Sequence, residues 1–158
     1  MPAKPSYEEL EQRLKELNEV DLLLKQTQER EAYIKRILLA IRNINQLIVQ
    51  ERDPQRLIDK ACTNLTATMG YFNAWIALLD DNAGAVKITA ESGLGESFDS
   101  MLDRLEKGEF PRTMRKALNH DEPIVIKNPL AECPECPLAA EYGGRAGLAC
   151  RLAYGGRI

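Results

Sequence analysis

The stretch FNAWIALLD (72–80) decides the fold. Counted alternately it gives two sets, Ala74/Ile76/Leu78 and Trp75/Ala77/Leu79, and both are apolar. A half-exposed strand alternates apolar with polar residues. A strand apolar on both sides predicts cover on both faces and a central place in its sheet. Asp80-Asp81-Asn82-Ala83-Gly84 then reads as a turn. AVKITAE (85–91) sets Val86, Ile88 and Ala90 against Lys87, Thr89 and Glu91. That alternation predicts a half-exposed strand, hairpinned to the first.

Upstream, Asp53-Pro54 starts a helix, since Asp can cap it and Pro fits its first position. The helix is predicted over 54–69, with Leu57, Ile58, Ala61, Leu65 and Met69 on one face and Gly70 ending it. Downstream comes a long crossover. A loop at 92–95 leads to a helix over 97–107 with Phe98, Met101, Leu102 and Leu105 inward. Pro111 opens a short helix ending near Asn119-His120. Pro123 introduces the strand IVIK (124–127), and Asn128-Pro129 breaks it. The cysteine loop AECPECPLAAEYGGR (131–145) follows, with one helical turn at 137–142. A last strand is predicted over 146–154, followed by a Gly155-Gly156 turn. A sheet covered on both faces, under so irregular a crossover, leaves a natural place for a cavity between the two.

Residues 6–51 contain no Gly and no Pro and consist largely of good helix formers. Leu10, Leu14, Leu17 and Leu24 form one heptad-spaced run, and Ile34, Ile37, Ile41, Ile44 and Ile48 form another. The register slips between them. The reading is one long helix with a weak point around 21–30, or two helices hinged there. Fully helical, this segment spans roughly 68 Å. Such a helix has little to bury its stripe against except another copy of itself, and a parallel homodimer is the natural solution. The alternative is that its second half packs on its own domain. The chain thus divides into an N-terminal coiled-coil-like linker (1–51) and a C-terminal domain (52–158).

Composition narrows the function classes. The 158 residues carry 21 Lys+Arg against 24 Asp+Glu, a net charge of −3, so the basic footprint of a dedicated nucleic-acid binder is missing. No run approaches the ~18 apolar residues of a membrane span, and MPAKPSYEELEQ has no signal-peptide core. The expected location is the cytoplasm, where structural disulfides are disfavoured. The single His, His120, leaves no His-rich metal site; at the end of a helix it reads as a solvated cap.

Cys133-Pro-Glu-Cys136-Pro is the sharpest local feature. A Cys-x-x-Cys pair can bind a soft metal, form a redox disulfide, or shape a tight loop. The other two cysteines, Cys62 and Cys150, fall on apolar faces and are expected in the core. Pro137 stands where a c-type haem site needs His. Trp75 is a pocket wall or core residue, and Tyr142 joins it as a candidate ligand contact. Arg145, after Gly143-Gly144, offers a cation to an anionic ligand or makes a surface ion pair. Nothing in the sequence assembles a nucleophile, a base and an orienting group, so this chain reads as no enzyme by itself.

The segments DPQRLIDKACTNL (53–65), YFNAWIALLDDNAG (71–84), ALNHDEPIVIKN (117–128) and AGLACRLAYGGRI (146–158) together resemble a GAF domain, a small-ligand sensor module related to PAS. CPLAAEYGGRAGLACRLAYGGRI (136–158) is similar to GAF regions of bacterial multi-domain sensor histidine kinases. YEELEQRLKELNE (7–19) looks like the helical linkers of such kinases. The resemblance implies an α+β fold, with a GAF/PAS-like antiparallel sheet flanked by helices behind a long coiled-coil-like helix. It implies an unidentified small ligand under the crossover, no specified cofactor, and a signal passed through a dimeric helical linker. In the family a central strand follows the Gly-Gly-Arg turn. This chain stops where that strand should begin, so the expectation is a C-terminally incomplete domain with an output domain beyond residue 158. Two other readings stand beside the sensor: a ligand-independent dimerisation scaffold, and a GAF-type methionine sulfoxide reductase using Cys133 and Cys136.

Overall fold

The computed structural model describes residues 6–80 and 85–153. The fold is α+β. In chain order it comprises α1 (Tyr7–Gln50), α2 (Pro54–Ala67), β1 (Ala74–Leu79), β2 (Val86–Ser92), a 3-10 turn (Gly95–Phe98), α3 (Asp99–Glu106), α4 (Arg112–Leu118), β3 (Ile124–Ile126), α5 (Pro129–Glu132) and β4 (Gly147–Ala149). The chain forms two compact units, Met1–Arg42 and Asn43–Ile158. The boundary falls inside α1, ahead of the 51/52 division read from the sequence. The last turns of α1 go with the second unit, in which Asn43 Nδ2 donates to Asn64 Oδ1 at 3.1 Å.

Helix α1 begins with a reciprocal cap. Ser6 Oγ accepts from the Glu9 amide at 3.2 Å, and the Ser6 amide donates to Glu9 Oε2 at 2.9 Å. This capping box satisfies donors that would otherwise be orphaned at the helix start. The helix then runs for 44 residues without interruption. Of the two readings of 21–30, the one with two hinged helices is therefore corrected: Asp21 and Thr27 lie within one continuous helix. Their side chains are satisfied locally, Thr27 Oγ1 donating to the Leu23 carbonyl at 2.9 Å and Asp21 pairing with Lys25 at 2.8 Å.

Helix α2 starts as its sequence dictates. Asp53 accepts from the Arg56 amide, and Pro54 occupies the first turn. Ile58 and Cys62 are buried with Ala90, and Ala74, Ile76 and Ile88 pack on them. Helix α2 thereby packs on Ala74 and Ile76 of the even-numbered face of β1, while Leu78 further along that face is 37 % exposed. The crossover packs on the odd-numbered face, where Trp75 lies against the cluster of Phe98, Met101 and Leu105, its ring next to that of Phe98. Cover on both faces matches the apolar pattern over Ala74–Ala77, whereas Phe72 and Leu78 remain exposed.

The strand's place in its sheet does not. Among the described residues β1 pairs only with β2, antiparallel from Ala74↔Ser92 to Leu79↔Val86 with a register shift after Leu78. β3 pairs with β4 in a second two-stranded sheet, from Ile124↔Ala149 to Ile126↔Gly147. Among the described residues β1 therefore stands at the edge of a two-stranded sheet, and the expected central position is not found there. Side-chain periodicity reports what covers the faces of a strand and carries no information about its hydrogen-bonding edges.

The last strand is also shorter than 146–154. It stops at Ala149; Leu148 is 58 % and Leu152 80 % exposed, and Cys150 is exposed rather than in the core. Nothing among the described residues covers that face, so its apolar alternation finds no core to enter. Tyr154, the Gly155-Gly156 turn and residues 81–84 of the first hairpin lie outside the described residues. The hairpin is closed by the Asp80 amide donating to the Ala85 carbonyl at 2.9 Å.

Candidate functional site

The cysteine loop is built from a run of local hydrogen bonds. Asn128 caps α5 by accepting from the Ala131 amide, and Pro129 occupies its first position. Glu132 reaches back, its Oε1 accepting from the Lys127 and Asn128 amides at 2.8 and 2.9 Å. The Cys133 amide donates to the Pro129 carbonyl, the Cys136 amide to the Cys133 carbonyl at 3.0 Å, and the Ala139 amide to the Cys136 carbonyl. Each turn thus hands the chain to the next, and the prolines at 134 and 137 fix φ where no amide donor is needed.

This winding carries both thiols inward. Cys133 is 2 % and Cys136 9 % exposed, in one cluster with Phe98, Met101, Leu105, Leu138 and Ala139. Trp75 and Tyr142 pack on the same cluster. The Trp75 and Phe98 rings are tilted at a centroid separation of 6.0 Å, within the range of favourable aromatic pairs. The structure therefore brings together four of the five residues singled out from the sequence: Trp75, Cys133, Cys136 and Tyr142.

The fifth, Arg145, lies at the exposed edge. Its guanidinium carbon sits 4.0 Å from the centre of the Phe72 ring, and its Nη1 donates to the Tyr142 carbonyl at 3.4 Å. This is a cation–π contact. Gly143 permits it: its φ is +53°, and a Cβ there would stand 2.9 Å from Arg145 Nη1. His120 is exposed at the end of α4, where a solvated position was expected.

Several contributors are not legible in the motif. Thr113 Oγ1 lies 3.8 Å from Cys133 Sγ, brought there by α4 from twenty residues away. Arg104 of α3 donates to the Glu135 carbonyl. Glu135 Oε1 lies 3.6 Å from Arg112 Nε and accepts from the Arg112 amide at 3.3 Å. Two arginines from two helices thus clamp the outer rim of the Cys-Pro-Glu-Cys turn. The Glu135 carboxyl is held below its usual range, first by its own amide and then by Arg112, with a smaller contribution from the Cys133 thiol.

The electrostatics inside the loop favour neutral groups. Burial pushes the Cys136 thiol up to about 11 and the adjacent Cys133 sulfur adds to this, against the Leu138 amide and Arg104. Burial raises the Tyr142 phenol to about 12, opposed by a hydrogen bond from the Trp75 indole. Cys62, wholly buried beneath α2, is raised to about 11 by the same cause. All three groups are more basic folded than unfolded. The stability the two thiols confer is present in full below about pH 9 and is lost as the pH rises through about 11, and that of Tyr142 is lost only as the pH approaches about 12. The urea midpoint is therefore expected to fall steadily between these values, and replacing Cys62 and Cys136 by Ala to flatten that fall. A midpoint independent of pH across this window would contradict the burial of the three groups.

Chemically, the pair offers two sulfurs and no more. Among the described residues no group of three or more His, Cys, Asp or Glu is placed to hold a metal ion. The burial of both sulfurs also weighs against a thiol that must meet a substrate at the surface. What the arrangement does allow is a bond between the two sulfurs. No protein-family model matches this chain, and no curated protein matches it.

Proposed function

We propose that the C-terminal unit is a GAF-like sensory domain whose input is the oxidation state of the Cys133/Cys136 pair. Helix α1 serves as its homodimerising signalling element. The output is a module of the histidine-kinase class, and the setting is the reducing cytoplasm. One observation carries the reading: both thiols, Trp75 and Tyr142 meet in a single buried cluster between the crossover and the β1–β2 hairpin. The order of elements supports the GAF-like part, with a hairpin, a helical crossover and a late strand following a capped helix. No helix among the described residues is long and apolar enough to cross a membrane.

The redox step is stoichiometrically simple. A small disulfide, RSSR, exchanges with the pair. A Cys133–Cys136 bond forms, the RSSR bond breaks, and both protons leave with two RSH molecules. The 3.0 Å bond from the Cys136 amide to the Cys133 carbonyl closes a four-residue turn. Such turns hold their end Cα atoms within about 7 Å, close to the span a disulfide requires. The pair is buried, so the exchange proceeds through local opening of the loop. Closing the bond shortens the sulfur–sulfur distance inside a tightly packed cluster, and the neighbours must move in response.

Trp75 is the only tryptophan in the chain and lies in this cluster, so its emission reports the step directly. On the chain with the exposed Cys150 replaced by Ser, oxidation with excess oxidised glutathione is expected to remove two hydrogens per chain and shift or quench Trp75 emission. Cys133→Ser and Cys136→Ser should each abolish both changes. Thiols that stay reduced under oxidant would overturn the redox input. A disulfide that forms with no change in Trp75 emission would favour the second reading, a ligand-independent dimerisation scaffold, for which the close packing of the cluster speaks.

A further inference from the structure

The exposed face of α1 is more regular than its two leucine and isoleucine runs suggest. Ile37 and Ile44 are half-buried, so those two members of the second run do not share the exposed stripe. The large apolar side chains left exposed include Leu10, Leu17, Val20, Leu24, Ile34, Leu38, Ile41 and Ile48, each 45 % exposed or more. Joined by Arg13, Thr27, Glu31 and Asn45, they form one frame of alternating three- and four-residue steps, with no slip along α1. A left-handed coiled coil needs such a seam.

The seam has a second property. Its apolar and polar positions are symmetric about residue 29. Leu17 mirrors Ile41, Val20 mirrors Leu38, Leu24 mirrors Ile34, and Thr27 mirrors Glu31. In the sequence the symmetry continues outward, Arg13 mirroring Asn45 and Leu10 mirroring Ile48. An isologous pairing about a two-fold axis requires this property, because residue i must suit residue j and j must suit i.

We propose that α1 pairs antiparallel with α1 of a second copy of this chain, about an axis level with residue 29. The inference rests on the dimeric role given to α1 above and specifies its interface. Leu17 meets the partner's Ile41, Val20 the partner's Leu38, and Leu24 the partner's Ile34. The Glu31 carboxylate faces the partner's Thr27, whose hydroxyl donates within its own helix, rather than another carboxylate. On the flank, Asp21 lies opposite the partner's Lys35. The one cost at the axis is Arg30 against the partner's Arg30. In a parallel pairing of the same frame, Glu31 would face the partner's Glu31, Glu16 the partner's Asp21, and Arg30 the partner's Lys35. Like charges set directly opposite in this way suppress a pairing.

Disulfide trapping decides the matter on the full chain with the exposed Cys150 replaced by Ser. Leu24→Cys and Ile34→Cys are prepared separately; both positions are exposed, and helix content by circular dichroism checks that each variant folds. In the antiparallel pair two copies of residue 24 lie roughly 15 Å apart along the axis, beyond disulfide reach. Residue 24 lies directly opposite the partner's residue 34. Mild oxidation is expected to give covalent dimer only when the two variants are mixed and re-equilibrated, approaching about half of the chains under random assortment. Covalent dimer from either variant alone would overturn the antiparallel arrangement in favour of a parallel one. A dimer by light scattering that yields no covalent species would overturn the seam. A monomer would overturn the pairing altogether. A monomer would also remove the homodimerising role given to α1, whereas the redox input of the C-terminal unit is tested separately, by thiol loss and Trp75 emission.

Discussion

Replacing Leu105 by Ala is expected to lower the unfolding free energy by about 2–5 kcal/mol. Leu105 is wholly buried on α3 and touches the cluster that holds both thiols. Its removal loses the transfer free energy of the deleted carbons and leaves a cavity. Collapse into that cavity is restricted on the loop side. Arg104, one residue earlier, donates to the Glu135 carbonyl, and Arg112 holds the Glu135 carboxylate from α4. These contacts fix the distance between α3 and the cysteine loop, so the cost should fall in the upper half of the range. Leu130→Ala is the internal control. Leu130 is 53 % exposed on α5, and its truncation should change stability by no more than about 0.5 kcal/mol. Urea unfolding followed by far-UV circular dichroism measures both. A Leu105→Ala cost below about 1 kcal/mol would mean that the cluster is not close-packed, and the coupling between the thiols and Trp75 would lose its physical basis.

Much of this arrangement was legible because single residues dictated it. Asp53-Pro54 marked the start of α2, Phe98, Met101 and Leu105 faced inward at helical spacing, and the double apolar pattern of 74–79 demanded cover on both faces. Each of these signals acts over a few residues and is written in side-chain chemistry. The misreadings share a different origin. The place of β1 in its sheet depends on hydrogen-bonding edges, which periodicity does not encode. Cys150 was read as core from an alternation that requires a covering layer, and the described residues supply none. The hinge in α1 rests on treating two apolar runs as one seam, whereas Ile37 and Ile44 of the second run are half-buried and the helix is continuous. Thr113 and the Arg104 and Arg112 clamps were invisible because they reach the Cys-x-x-Cys turn through tertiary packing, with no spacing rule linking them to it.

The four thiols are expected to separate into one fast and three slow reactors toward an aromatic disulfide reagent at pH 7.5. Cys150 is exposed and should define the fast phase alone. Cys62 and Cys136 are pushed from 9.0 up to about 11, which makes their thiolate about a hundredfold scarcer than that of an unperturbed thiol. Cys133 is only 2 % exposed, so access limits its reaction. The slow phase should therefore lag the fast one by at least about a hundredfold, and Cys150→Ser should delete the fast phase while leaving the slow one intact. In denaturant all four thiols should react together. Two or more fast thiols in the native protein would contradict the burial of the pair. The slow phase also bears on the sensory reading. If its rate levels off as reagent concentration rises, opening of the 133–145 loop is rate-limiting, and that opening is the route by which an oxidant reaches the pair. If the rate instead keeps rising in proportion to reagent, the loop opens and closes faster than it is attacked, and the response time of the pair is set by the concentration of the oxidant.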